Sequence, residues 1–276
     1  MMLKSRFRDL GVMILEKLRA LEGSGIGNIP GVIRVYEYLN SIFGLKTIEV
    51  DEQNFLYPFI LFSSYQQLSE NSFAIEPAVS SLFCSFIKDG MTVVDIGAGI
   101  GYYTLLAAKR VGDEGLVLSF EPDPFRFRVL QKNARVNNWQ NVRLFKIALS
   151  DKNERRKMKR GVGFTPKGIG GKVTVKVATL DSFLGSADVI KIDVEGAELE
   201  VLRGMEKILV EGKAKIICEV HPQKICSLGH QISEITELLE RYNYSIYLIE
   251  EGSKLIQVDG VLMDKYAHYL FAKMEK

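Results

Sequence analysis

The chain has 276 residues, and its 36 Lys and Arg nearly balance 34 Asp and Glu, giving a formal net charge of +2. That balance removes any global electrostatic reason for a nucleic-acid or other polyanionic partner, while 47% hydrophobic residues suit the packed core of one main domain with an extension. Three cysteines, Cys84, Cys218 and Cys226, form no CxxC pair and are too few for a disulfide framework or a zinc knuckle, so a reducing, cytoplasmic setting is expected.

At the N-terminus, Leu3, Phe7, Leu10, Ile14, Leu18 and Leu21 recur at helical spacing and make one apolar stripe, which suits packing on the chain's own domain or on a second copy of it. Charges interrupt the stripe, and no run approaches about 18 apolar residues, so neither a signal peptide nor a membrane span is expected. Clustered Gly and Pro over residues 23–31 break the chain. A second helix over 32–43 and two β-rich runs, 46–50 and 54–62, complete a helical and hairpin extension over residues 1–73. From residue 74 the pattern becomes regular: helix 77–87, strand 92–96, a glycine loop, helix 103–111, strand 115–120, helix 125–137 and strand 142–148. After an irregular stretch come strand-like 173–177, strand 188–192, helix 197–210, strand 215–220 and helix 232–241. This alternation predicts an α/β doubly wound domain over residues 74–276, its sheet mostly parallel and covered on both faces. The runs 244–250, 254–258 and 268–274 have no comparable helices between them and predict an antiparallel finish.

In such a sheet, ligands bind beyond the carboxyl ends of the strands, where strand order reverses. The stretch VVDIGAGIGYYT lies there, with Gly97, Gly99 and Gly101 at every second position behind Asp95. A dinucleotide fingerprint would need G-x-G-x-x-G, but Tyr102 holds the place of the third glycine, which weakens a nicotinamide oxidoreductase reading. The spacing Asp-x-Gly-x-Gly-x-Gly instead matches the loop that wraps the methionine part of S-adenosylmethionine. Glu121, at the end of the next strand, can accept hydrogen bonds from both ribose hydroxyls.

Together, VVDIGAGIGYYT, LVLSFEPDPFRFRVLQKNARVNN, FKIALSD, TLDSFL, DVIKIDVEGAELEVLRG and IICEVHP resemble the FkbM family of S-adenosylmethionine-dependent methyltransferases over about residues 74–222. The resemblance implies a Rossmann-like methyltransferase fold and, on family precedent, O-methylation of a hydroxyl on a sugar, glycolipid or small metabolite. It implies that Asp95, Gly97, Ala98, Gly99 and Gly101 border the methionine part of the cofactor, with Tyr102, Tyr103 and Thr104 opening the next helix beside its carboxylate. It further implies that Glu121 holds the ribose, that Pro122 and Asp123 flank the adenosine, that Ala148 edges the adenine, and that Asp193 lies where the methyl projects. Glu76 falls where the family often has a glutamate.

Methyl transfer to an alcohol needs in-line alignment and a group that takes the hydroxyl proton. Asp193, Glu219 and His221 sit at adjacent strand ends, and His221 is the first choice for the base, although a His before Pro222 can also simply finish a strand. The three could alternatively hold Mg²⁺, but no metal ligand is assigned, since strand-end carboxylates also cap helices. Glu195 and Glu198 are expected to complement the N-terminus of the following helix. Residues 150–172 concentrate eight Lys and Arg against Asp151 and Glu154. They form a solvated insertion or a lid over an anionic small-molecule or glycan acceptor. Alternatives from other classes are N-methylation, RNA methylation and a cofactor-binding module without an acceptor. The segment DVEG in place of an Asn/Asp-Pro-Pro-aromatic motif leans toward oxygen.

Overall fold

The computed structural model describes residues 45–58, 75–159, 172–258 and 266–273. The two helices expected before residue 44, the end of the β-rich run expected over 54–62 and residues 160–171 of the basic segment lie outside these residues. The chain divides into two compact units, one of residues 1–73 with 157–174 and one of residues 74–156 with 175–276.

In the smaller unit, β1 (Leu45–Val50) and β2 (Gln53–Pro58) pair antiparallel, with Val50 opposite Gln53. Asp51 and Glu52 both have positive φ, 51° and 62°, as a two-residue turn between right-twisted strands requires.

The larger unit is built on an eight-stranded sheet. Its members are β3 (Thr92–Ile96), β4 (Leu116–Phe120), β5 (Val142–Phe145), β9 (Val189–Ile192), β10 (Lys215–Val220), β11 (Ser245–Ile249), β12 (Leu255–Gln257) and β13 (Ala267–Ala272), in the order β12-β11-β13-β10-β9-β3-β4-β5. β5, β4, β3, β9 and β10 run parallel. β13 inserts antiparallel between β10 and β11. The central strands read as near-continuous apolar runs because both faces are covered. Helices α1 (Pro77–Phe86), α2 (Tyr102–Arg110), α3 (Pro124–Val136), α4 (Glu198–Arg203), α5 (Glu206–Glu211), α6 (Pro222–Ser227) and α7 (Ile232–Arg241) supply that cover. Ile96, Phe120, Ile190, Ile192, Leu199, Ile216 and Phe271 meet in one core. From β3 the chain proceeds outward to β4 and β5, then returns to β9 on the other side. The crevice at which strand order reverses therefore opens between β3 and β9.

Three details depart from the sequence reading. The single strand expected over 142–148 is β5 plus a separate β6 (Ala148–Leu149), which leaves the main sheet to pair with β8 (Lys172–Ala178). Residues 154–159, expected to be irregular, form β7 (Glu154–Lys159) on the other side of β8. The helix expected over 197–210 breaks into α4 and α5 at Gly204, where an added Cβ would lie 2.0 Å from the Ser150 carbonyl oxygen. Close backbone approach, not helix propensity, decides that break. Among the described residues no helix is long and apolar enough to cross a membrane.

Candidate functional site

The glycine loop runs from the end of β3 into α2, and its amides are spent within the protein. Gly97 N and Ala98 N donate to the Phe120 carbonyl at 2.9 and 3.0 Å, and Gly101 N donates to the Ala98 carbonyl at 2.8 Å. Gly99 N donates to Glu121 Oε2 at 2.8 Å. A phosphate cradle needs such amides free and aimed outward. These four are not, so the loop suits a ligand whose contact here carries no phosphate. Gly97 has φ +82°, and a Cβ on it would stand 1.8 Å from the Asp193 carbonyl oxygen. The loop thus lies directly against the end of β9, where Asp193 N bonds the Ile96 carbonyl at 2.9 Å.

Glu121 is 2% exposed and takes one backbone amide on each carboxylate oxygen, Gly99 on one and Asp123, at 2.7 Å, on the other. Burial, only partly countered by Arg126 and the Asp123 amide, raises its pKa to about 7. Each oxygen keeps a second lone pair, so the carboxylate can still accept from two ribose hydroxyls. Asp123 caps α3 through the amides of Phe125 and Arg126, and Pro122 precedes it. Ala98 packs on Phe127 and Leu130, and Ala148 stands opposite Val177 in the small sheet. Asp95 and Thr104 are placed beneath the loop. Thr104 Oγ1 donates to Asp95 Oδ2 at 2.6 Å and lies 2.8 Å from Ser119 Oγ. Both side chains are buried, and they fasten the start of α2 to β3. Tyr102 is buried 3.4 Å from Ser80 Oγ, while Tyr103 Oη donates to Glu76 Oε2 at 2.8 Å.

Across the crevice, Asp193, Glu219 and His221 come together, one ligating atom of each within 4.8 Å of the others. His221 Nδ1 lies 2.8 Å from Glu198 Oε1. A carboxylate only accepts, so Nδ1 carries the proton and Nε2 is left toward Glu195 Oε2, 3.3 Å away, and Glu219 Oε1, 3.7 Å away. Burial would lower the His221 pKa, but the hydrogen bond and charge of Glu198, with Glu219 and Asp193, raise it above the ordinary histidine value. Burial lifts Asp193 to about 6 against the pull of Lys191. Burial also works to raise Glu219, yet His268, Lys191 and the Tyr266 hydroxyl hold it at about 2. Glu195, with φ 58°, pairs with Lys224 as well as His221. Glu195, Glu219, His221, Pro222, Gln223, Lys224 and Tyr266 line a cavity of about 350 Å³.

Sequence reasoning expected Glu198 to serve the α4 N-terminus, and its Oε1 does accept from Gly196 N at 2.9 Å. The same oxygen also meets His221, which sequence reading missed. Missed too were His268, Tyr266 and Lys191. His268 faces Glu219 across the β10–β13 ladder and lies 3.1 Å from Glu76 and 3.4 Å from Glu219. The signal for it was a lone histidine in the last strand, legible only with the strand order known. Glu76, Glu219 and His268 form a second cluster of potential ligands. Lys191 acts on Asp193, Glu219 and Glu76 alike and supplies positive charge to both groups, which a divalent cation would have to share. In the basic segment, Arg156 is taken up by Glu154 and, across the fold, by Glu200 at 2.5 Å.

Comparison with known proteins agrees with the motifs. The sequence profile of the methyltransferase FkbM domain matches residues 95–246. The chain is 28% identical over 153 residues to Methyltransferase 1 of Beauveria bassiana, covering 43% of this chain and 59% of that protein. It is 27% identical over 166 residues to the hexuronic acid methyltransferase AglP of Haloferax volcanii, covering 55% of this chain and 62% of that protein. The chain thus spans about three fifths of the length of these relatives. The crystal structure of a methyltransferase FkbM from Methylobacillus flagellatus superposes with a TM-score of 0.45 at 17% identity, covering 76% of this chain and 58% of that one.

Proposed function

We propose, from the fact that the chain belongs to the FkbM methyltransferase family, that it moves the methyl group of S-adenosylmethionine onto a hydroxyl oxygen of a sugar, glycolipid or small metabolite. The observation that carries the oxygen acceptor is the Glu198–His221 pair, whose Nε2 is directed toward a polar cavity beside Asp193. The residues present fit the donor: the glycine loop offers no phosphate cradle, and the buried Glu121 keeps lone pairs for two ribose hydroxyls.

S-adenosylmethionine supplies, when bound, a methyl group made electrophilic by its sulfonium. The chain's own residues have three tasks. His221 Nε2 accepts the proton that the attacking hydroxyl loses. Glu198 fixes the tautomer and ring angle, the role a carboxylate plays behind any histidine base. Glu219, ionised throughout the neutral range, stands 3.7 Å from Nε2 and stabilises the imidazolium that forms. The contact of the glycine loop with the end of β9 brings donor loop and base to one crevice, so alignment is built into the backbone.

The test is a labelled methyl-transfer assay against a panel of sugars, led by uronic acids because the Haloferax volcanii relative is named for hexuronic acid, together with calorimetric titration of S-adenosylhomocysteine. His221→Ala should lower kcat by about 100-fold or more while leaving S-adenosylhomocysteine affinity unchanged. Undiminished turnover would remove His221 as the base, and label found only on nitrogen would overturn the hydroxyl acceptor.

A further inference from the structure

The hydroxyl of Tyr266 helps to hold Glu219 ionised, but its ring has no task in the mechanism. Among the described residues five large apolar side chains are exposed. Tyr266, at 63%, is the only aromatic of the five and the only one that lines the cavity of His221. A single exposed apolar residue is ordinary on a protein surface. This one differs because it is held. Its Oη donates to the buried Glu219, and its ring centre lies 5.0 Å from that of His221, with 58° between the planes. A tyrosine fixed in this way has already lost its rotamer freedom, so a ligand that lies on it meets little further ordering cost.

The rest of the cavity wall is of another kind. Apart from Pro222 it consists of side chains that form hydrogen bonds: Glu195 and Glu219 accept, Gln223 donates and accepts, and Lys224, paired with Glu195, donates. A flat aromatic alcohol would cover these polar groups without answering them, and such ligands take pockets lined mostly by apolar groups. An open-chain polyol would answer them, but it offers no C–H face to the tyrosine and must be ordered about each of its bonds. A pyranose ring meets both requirements. Its hydroxyls stand around the rim, and its axial C–H groups make a weakly positive face that suits the negative face of an aromatic ring.

We infer that Tyr266 is the platform on which the acceptor stacks, and that the acceptor is a pyranose. Its C–H face lies on the tyrosine, its rim hydroxyls meet Glu195, Gln223 and Lys224, and one hydroxyl stands at His221 Nε2. This rests on the proposed hydroxyl methylation and narrows its acceptor. Tyr266 sets specificity through its ring and not through its hydroxyl.

The test is saturation-transfer NMR on the full chain with S-adenosylhomocysteine added, using three probes: methyl β-D-glucopyranoside, the open-chain polyol sorbitol, and catechol. The glucopyranoside should bind at least about tenfold tighter than either of the others, with the strongest saturation on its ring C–H protons. Tyr266→Ala should weaken it by about tenfold, whereas Tyr266→Phe, which keeps the ring and removes the bond to Glu219, should stay within about threefold. In the labelled methyl-transfer assay the loss in Tyr266→Ala should fall mainly on KM, and calorimetric affinity for S-adenosylhomocysteine should hold in both variants. A preference for catechol or sorbitol, no binding of any probe, or a Tyr266→Ala protein that binds the glucopyranoside like the parent would overturn the inference. So would an equal loss in Tyr266→Phe, because the hydroxyl would then be acting through Glu219. Label on an oxygen alongside any of these results leaves hydroxyl methylation standing without the platform; label only on nitrogen removes both.

Discussion

His221 shows how one side chain is tuned by its neighbours. Its ring is nearly buried, which by itself favours the neutral form, yet Glu198 on Nδ1 and the charges of Glu219 and Asp193 reverse that preference. A base works only when deprotonated, so the rate should rise with pH through a midpoint above the ordinary histidine value. Glu198→Gln removes the largest opposing influence and leaves burial in command, so the acid limb of kcat/KM should move to lower pH. A profile of kcat/KM from about pH 5.5 to 9 checks this. A limb that stays in place would mean that Glu198 acts only on the α4 N-terminus, where it bonds Gly196 N.

At the scale of elements, the junction of β3, the glycine loop and β9 decides whether the site exists. Gly97→Ala would press a Cβ into the Asp193 carbonyl oxygen at a backbone angle that alanine tolerates poorly. Strain and clash together should cost roughly 2–5 kcal/mol, seen as a lower Tm, with weaker S-adenosylhomocysteine binding in whatever fraction folds. A variant as stable as the parent would show that the two backbones can separate freely. Much of this architecture was legible in the sequence. VVDI, LVLSF and KIICEV are apolar runs closed by turn residues, and central parallel strands have that signature because both faces are covered. The motif glycines marked the crevice, and Asp193, Glu219 and His221 were chosen because adjacent parallel strands end on one edge. What stayed hidden depends on pairing between distant segments. Nothing near His268 says that β13 slips between β10 and β11, and only that insertion sets His268 against Glu219. Lys191 lies inside VIKI, where alternation explains its neighbours but not a buried ammonium. The strand β7, ERRKMK, is too charged to stand out, and α4 and α5 are divided by a contact with Ser150, a residue distant in the chain.

At the scale of the whole molecule, the buried carboxyls tie stability to pH. Asp95 and Asp193 are raised by burial to about 6, and Glu121 to about 7. Each binds its proton more tightly folded than unfolded, so each makes the fold less stable as pH climbs from about 4 towards 7. His221 and His268 are also raised above the ordinary histidine value, chiefly by Glu198 for the first and by Glu219 and Glu76 for the second, against burial. Their contribution is complete below the unfolded histidine value and fades as pH rises through the folded one. Glu219 runs the other way. Held at about 2, it stabilises above the ordinary glutamate value and loses that effect only as pH falls towards 2. The ligand-free protein should therefore lose stability as pH rises from about 5 to 8, an interval in which Glu219 changes little and the raised groups all act in one direction. A carboxyl held one pH unit above its ordinary value is worth about 1.4 kcal/mol, so Glu121 alone contributes on the order of 3 kcal/mol to the difference between about pH 5 and pH 8. At about 2–4 °C per kcal/mol, calorimetric Tm should be higher at pH 5 than at pH 8 by about 6 °C or more. A Tm that is level, or that rises, between those two values would mean that the carboxyls are not held in the buried, proton-favouring setting that the crevice gives them.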